Sequence, residues 1–342
     1  MKINSFTIGD EHPCFIIAEA CDNHLGNMET AKEMALQAKL AGAYAVKYQH
    51  HLPDEEMLRE GVPMSANFNM PLYEFLELYA LTLEQHRELK EYCDSIGILY
   101  LCTPFSKKAA LEINSLVPAF KIGSGELTDI PTLKVIAGLG KPMILSSGMS
   151  VLEEIDETVK EVRAVNSEIA LMNCTSEYPP KYEDINLGVI PILKERYGIP
   201  IGHSDHTPDI YTCFGAVAMG AKLIEKHIIL DKKQPGPDQS VSIEPYELKM
   251  LCDGIRKIEA AMGSEKKVNE LEKPIRKWAH RSIVTLKPVK KGEVLTDELI
   301  WTKRPGTGVP AKYLDRFLGK KAAKDLPKDY LITREDIVAE ND

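Results

Sequence analysis

The stretch IPIGHSDHTPDIYTCFGAVAMGAKLIEKHIILD, residues 199–231, sets two short β-branched runs on either side of an apolar segment with helical spacing. Strands joined through a helix pair in parallel and are buried on both faces, which is why both runs are apolar almost throughout. A histidine stands at the end of each run, His206 in GHSDHT and His227 in EKHIILD, and the turn PGPD then brings up Asp238. Imidazole is the commonest neutral nitrogen ligand for a divalent metal, and two of them at the ends of consecutive parallel strands converge on one point.

The same alternation extends towards the N-terminus. FIIAE (15–19), AVKYQ (45–49), ILYLCTPF (98–105), AFKIGSGE (119–126), PMILSSGMS (142–150) and IALMNCTSEYP (169–179) precede the two runs above, each followed by a helical pattern. EPYELKMLCDGIRKIEAAMG closes the series, making eight strand–helix units in about 265 residues. This predicts an α/β fold of the (β/α)8 TIM-barrel type rather than an open doubly wound sheet. No GxGxxG follows the first strand, which counts against a dinucleotide fold. Residues 50–82 interrupt the rhythm and read as an insertion on the substrate side, a lid. The rhythm stops near residue 264, so 1–264 is read as the barrel, 265–281 as a charged linker and 282–342 as a small β-rich domain.

Composition narrows the function. Hydrophobic content of 44% and charged content of 27% are ordinary for a globular protein, and a net charge of −9 argues against nucleic acid or a membrane surface as partner. Seven cysteines, scattered and never in a CxxC pair, are expected to be reduced and buried; with no basic-then-apolar leader in MKINSFTIGDEH, the cytoplasm is the expected compartment.

In such a barrel the chemistry sits at the carboxyl ends of the strands. Those ends read Glu19; Lys47 and Gln49; Thr103; Lys121, Ser124 and Glu126; Ser146 and Ser147; Asn173, Thr175 and Tyr178; Ser204, Asp205 and His206; Glu225 and His227. Lys47 and Lys121 lie inside apolar runs, where an ammonium needs an internal ion pair or a multiply charged anion. KIGSGE adds backbone N–H groups and a serine hydroxyl suited to phosphate. Two histidines are too few for a structural zinc site but suit an exchangeable ion acting as a Lewis acid. His12, His50, His51 and His86 are assigned structural or surface roles, and His203 is not expected to be a third ligand.

AEACDNHLGN, VKYQ, TPF, KIGSGE, GKPMILSSGMS, NCTSEYP, GHSDHT, EKHIILD, PGPDQS and KRPGTG, in this order, resemble the sialic acid synthases, the phosphoenolpyruvate-condensing nonulosonic acid synthases. The resemblance runs from about residue 13 to the C-terminus, where the tail resembles the antifreeze-like (SAF) module. It implies a barrel plus SAF domain and a homodimer in which each tail covers its partner's barrel mouth. It also implies His206 and His227 as ligands of a divalent ion, usually Mn2+; Lys121, Ser124, Ser146 and Ser204 around the phosphate of phosphoenolpyruvate; and Lys47 and Thr103 near its carboxylate. Glu19 matches the proton-managing carboxylate, and Gln49, Glu126, Tyr178, Asp238 and the tail's Arg304 match contacts to an open-chain N-acetylated amino sugar. The implied reaction condenses phosphoenolpyruvate with N-acetylmannosamine. A 2,4-diacetamido-2,4,6-trideoxyhexose (legionaminic or pseudaminic acid) and N-acetylmannosamine 6-phosphate are the alternatives. Three features depart from the family pattern: Ala20-Cys21-Asp22 replaces a Gly-containing turn, and His203 and Ser176 stand where other residues are usual. A metal-dependent hydrolase on the same barrel would show a His-x-His pair after the first strand, absent here. A non-catalytic sugar-binding protein would have no use for Glu19 with both lysines.

Overall fold

The structure is a computed structural model that describes residues 1–65 and 67–338. The chain forms two compact units, Met1–Gly263 and Ser264–Asp342.

In the first unit the strands are β1 (Phe15–Glu19), β2 (Ala45–His50), β3 (Leu99–Pro104), β4 (Phe120–Ile122), β5 (Met143–Ser146), β6 (Ile169–Cys174), β7 (Ile201–Asp205) and β8 (Leu223–His227). Every neighbouring pair is parallel, and β8 pairs with β1 to close the barrel. The expected barrel is therefore the observed one. Its helices are held by local chemistry. On α1 (Met28–Ala41) the Asn27 side chain accepts from the Glu29 and Thr30 N–H groups, and Gly42 ends the helix at φ 100°. Ala31, Met34, Ala35, Ala38 and Ala41 form the buried stripe, and the four alanines let the helix lie close against the sheet. On α2 (Leu83–Ile96) Thr82 and Gln85 exchange hydrogen bonds in a capping box.

The period of two along each strand decides what fills the barrel. Phe15, Ile17, Ala45, Leu101, Ala119, Ile144, Ala170, Met172 and Leu223 form one interior cluster. Ile3 and Ile8, from the N-terminal hairpin Lys2–Ile3 and Phe6–Thr7, belong to it too, so the hairpin plugs the amino-terminal end. Nearer the carboxyl ends the inward positions turn polar: Glu19, Lys47, Thr103, Lys121, Ser146, Ser204 and Glu225. The barrel is thus a dry plug under a charged floor.

The alternate positions serve the packing between barrel and helices. Asp205, read as a strand-end polar group, sits one residue out of phase with Ser204 and His206 and belongs to this layer. It pairs with buried Lys226 at 2.6 Å, accepts from Thr207 and Thr212 at 2.7 Å and meets His203 at 3.2 Å. His203 spends its other nitrogen on the Asn173 carbonyl. Both side chains are hydrogen-bonded within this layer.

The second unit packs Ile283, Val289, Leu295, Ile300, Phe317, Ala322, Leu326 and Ile332 into its own core. The antiparallel pair β9 (Ser282–Thr285) and β10 (Ile300–Lys303) is its only named sheet among the described residues, and single bridges such as Val289–Leu326 extend it. Within 265–281, read as a linker, the chain forms a helix over Glu272–Ala279. Its apolar residues Leu271, Ile275 and Trp278 recur at helical spacing but remain exposed, which hid the helix among charged neighbours. Among the described residues no helix is long and apolar enough to cross a membrane.

Candidate active site

A cavity of about 970 Å³ opens at the carboxyl ends of the barrel strands. Glu19, Lys47, Gln49, Thr103, Lys121, Ser124, Glu126, Ser146, Tyr178, Ser204, His206, His227 and Asp238 all line it. Arg304 lies in the second unit, stacked 4.5 Å over the Trp278 ring with its Nε donating to the Ala279 carbonyl at 3.1 Å.

At the floor, Lys47 Nζ lies 3.2 Å from Glu19 Oε2 and 3.1 Å from Glu225 Oε2, and Lys121 Nζ lies 3.4 Å from Glu225 Oε1. Lys121 also donates to Ser146 Oγ at 2.6 Å and to the Ile122 carbonyl at 3.2 Å, while Ser204 donates to Glu225 at 3.0 Å. The ion-pair alternative for the lysines is therefore realised, and Glu225 is its hub. Two carboxylates share this floor with unequal fates. Burial is the main force on Glu19; Lys47 opposes it and the like charge of Glu225 adds to it, so its carboxyl is pushed up to about 8. Glu225 is equally buried, but Lys121 and Lys47 overcome burial and draw its pKa down to about 2. The two carboxyls titrate as a coupled pair, in which burial and the like charge favour the proton on the Glu19 side.

On the histidine side, His206 Nδ1 donates to the Thr175 carbonyl at 2.7 Å, which leaves Nε2 as the lone pair facing Tyr178 Oη at 3.1 Å. The rings of His206 and His227 stand 5.2 Å apart. Burial, then the neighbouring His206, lowers the His227 pKa well below the usual imidazole range and keeps it neutral. His227 Nδ1 is buried with no hydrogen-bond partner and lies 3.5 Å from Asp238 Oδ2. Two imidazole lone pairs and a carboxylate with one orphaned nitrogen fit a divalent ion.

Orphaned polar atoms concentrate here. Of eleven buried side-chain atoms without a hydrogen-bond partner among the described residues, six line this cavity: Glu19 Oε2 and Glu225 Oε2, which are ion-paired with Lys47, and Asp22 Oδ1, Thr103 Oγ1, Glu126 Oε2 and His227 Nδ1, which are the open ones. A folded chain leaves buried groups unsatisfied where a ligand completes them. Backbone crowding points the same way. Gly148 N donates to Ser124 Oγ at 3.1 Å, and a Cβ at Gly148 would come within 2.2 Å of Ser176 Oγ, so glycine keeps two hydroxyls gathered over one amide.

Sequence reading missed two residues. Glu225 was noted at a strand end but given no role, because its importance comes from two lysines on other strands. His51 was assigned a structural role, yet it lines the cavity, stacked 4.2 Å from Phe105. Burial disfavours its charge, but Asp22 and Glu56 outweigh burial and raise its pKa to about 10; its Nε2 meets Gln49 Oε1 at 3.1 Å. Its position just after β2, two residues past Gln49, was the available signal. The insertion supplies one wall through Met57, Pro63, Ser65, Leu72, Phe75 and Leu76, and Asn67 Nδ2 donates to the Gly236 carbonyl at 2.8 Å.

A closed parallel barrel whose mouth gathers two lysines, six carboxylates and three histidines has the layout of an enzyme scaffold. The NeuB family model matches residues 34–267 and the SAF domain model residues 280–338. The chain is 39% identical to N,N'-diacetyllegionaminic acid synthase of Campylobacter jejuni, covering 93% of this chain and 98% of that one. It is 33% identical to N-acetylneuraminate-9-phosphate synthase of Homo sapiens, covering 96% and 94%. The solved N-acetylneuraminic acid (sialic acid) synthetase of Leptospira borgpetersenii matches with a TM-score of 0.73 at 32% identity, over 80% of this chain and 94% of that one. The chain belongs to the NeuB family, a family of nonulosonic acid synthases, and carries its SAF domain.

Proposed function

We propose that this chain condenses phosphoenolpyruvate with an open-chain N-acetylated amino sugar and releases inorganic phosphate. The observation that carries this is the pairing of Lys47 and Lys121 with a shared Glu225 at the floor of a cavity that also holds His206 and His227. Two buried ammonium groups suit a trianion that an acidic protein would otherwise repel. Lys121, Ser124, Ser146 and Ser204 hold the phosphate, and Lys47 and Thr103 the carboxylate. A divalent ion at His206 and His227, expected to be Mn2+ or Mg2+ from the resemblance, supplies polarisation of a carbonyl oxygen. The sugar C1 carbonyl accepts C3 of phosphoenolpyruvate, water adds at C2, and the C2–O bond to phosphate breaks. Glu19 starts with the proton needed by the new hydroxyl and, once ionised beside Lys47, is a base for the added water.

The wall supports one choice among the three sugars. Met57, Pro63, Leu72, Phe75 and Leu76 form an apolar face, and among the described residues the charged groups the insertion adds to the lining are His51 and Glu56, which pair with each other, with no Lys or Arg. N-acetylmannosamine, the first expectation, would set hydroxyls against this face, and its 6-phosphate would set an unpaired dianion there. The methyl group of a 2,4-diacetamido-2,4,6-trideoxyhexose suits it better. The buried cysteines, none in a disulfide, support a cytoplasmic setting.

Phosphate release with Mn2+, phosphoenolpyruvate and the three sugars is the direct test. The trideoxyhexose is expected to give the highest kcat/KM, and chelation or His227→Ala to abolish turnover. Release with none of the sugars would sink the reading. The implied homodimer has its own check: mixing an Arg304→Ala chain with a Glu19→Ala chain should restore activity above either alone. Failure to complement would count against a site shared between chains.

A further inference from the structure

Beside the two histidines stands a third kind of donor. Cys21 Sγ, a ring nitrogen of His227 and a carboxylate oxygen of Asp238 all lie within 4.8 Å of one another. Cys21 and His227 are buried, and His227 Nδ1 has no partner even though Asp238 Oδ2 is 3.5 Å away. The topology explains the meeting. Glu19 on β1 is in register with His227 on β8, so Cys21, two residues past Glu19, emerges at the seam where the barrel closes.

The backbone supplies an independent sign. Cys21 is held at φ 42°, in the left-handed region where a β-carbon is disfavoured and glycine is at ease. A turn that needed only this conformation would be better served by glycine. A side chain kept there against the backbone preference points to a use for its thiol.

Building on the metal site of the proposed function, we propose that Cys21 is a thiolate ligand of the bound cation, together with His227 and Asp238. Binding replaces the S–H bond with a sulfur–metal bond and releases the proton to solvent. A set containing sulfur favours thiophilic ions, so the chain should prefer Co2+, Fe2+ or Zn2+ over the Mn2+ or Mg2+ that imidazole and oxygen donors alone would accept. It should also lose its metal when the thiol is oxidised.

The test is to titrate the metal-free full chain with Co2+ and with Mn2+, following near-ultraviolet absorption and heat, for wild type, Cys21→Ser and Cys21→Gly. Wild type should show a thiolate-to-Co2+ charge-transfer band and proton release. Loss of even an outer partner of a metal ligand typically weakens binding roughly 10–100-fold. Both variants should therefore lose at least that much Co2+ affinity, lose the band and lose less for Mn2+. The metal-free Cys21→Gly chain should melt no lower than wild type, since glycine suits this φ, which separates a ligand from a packing role. Co2+ binding without the band, unchanged in both variants, would overturn the inference and leave the histidine site standing. No Co2+ binding by wild type would overturn both. A band with no phosphate release from any sugar would overturn the proposed reaction and leave the thiolate ligand intact.

Discussion

Glu19→Gln is expected to lower kcat by roughly 10²–10⁴-fold, the usual contribution of a positioned acid–base group. Gln keeps the size of the side chain and the contact with Gln49, whose Nε2 donates to Glu19 Oε1 at 2.9 Å, so the barrel should remain folded. The pH profile gives the sharper reading. With its pKa pushed up to about 8, Glu19 is protonated at neutral pH and loses its proton as the pH rises through that value. Wild-type activity should therefore have a descending limb near pH 8, measured as phosphate release, and the residual activity of Glu19→Gln should lack it. The same shift bears on stability. Between the ordinary carboxyl range and about pH 8 the folded chain binds a proton that the unfolded chain has lost, so stability falls as pH rises across that window. Glu19→Gln should remove that slope in denaturant titrations. A variant that kept full activity, or kept the limb, would show that Glu19 is not the proton carrier.

Glu225→Gln is the second large effect, and it tests the floor as a coupled unit. Removing one partner of a buried charge network leaves the others unpaired, which typically costs about 3–5 kcal/mol. Lys121 would lose its only carboxylate among the pairs described here, and Lys47 would keep Glu19 alone. The two effects on Glu19 share a direction. It loses a like charge and becomes the sole counter-ion of Lys47, so its pKa should fall and the descending limb should move to lower pH. Denaturant midpoint and pH profile together check this. If stability drops while the limb stays near pH 8, Glu225 holds the lysines but does not tune Glu19.

Much of this was legible in the chain. FIIAE, read as a strand from its apolar run, is β1 residue for residue, and KLIEKHIILD contains β8. The helices were read from their apolar spacing, and the caps the structure shows at Asn27, Gly42 and the Thr82–Gln85 box are equally local in sequence. Local physics sufficed because each element is specified within a few residues of itself. The N-terminal plug was missed because Lys2–Ile3 and Phe6–Thr7 are too short to show a period; only contact with Phe15 and the barrel interior gives them their place. The helix at Glu272–Ala279 was missed for a related reason, its apolar face being too narrow among charges.

The residue types at the mouth were likewise set by the chain: an acid ending β1, lysines in β2 and β4, a histidine just past β7 and another ending β8. Alternation along a strand already separates inward Ser204 from outward Asp205 once the phase is known. The phase itself, and everything that depends on distance between strands, was decided by closure of the barrel. Glu225 becomes a hub only because β8 lies where two lysines from β2 and β4 can reach it. Glu19 keeps its proton only because burial and that second carboxylate act on it together. Cys21 meets His227 and Asp238 only because β8 returns to pair with β1. Propensity and periodicity are properties of neighbouring residues, but electrostatic coupling falls off with distance in space, and that distance exists only after folding.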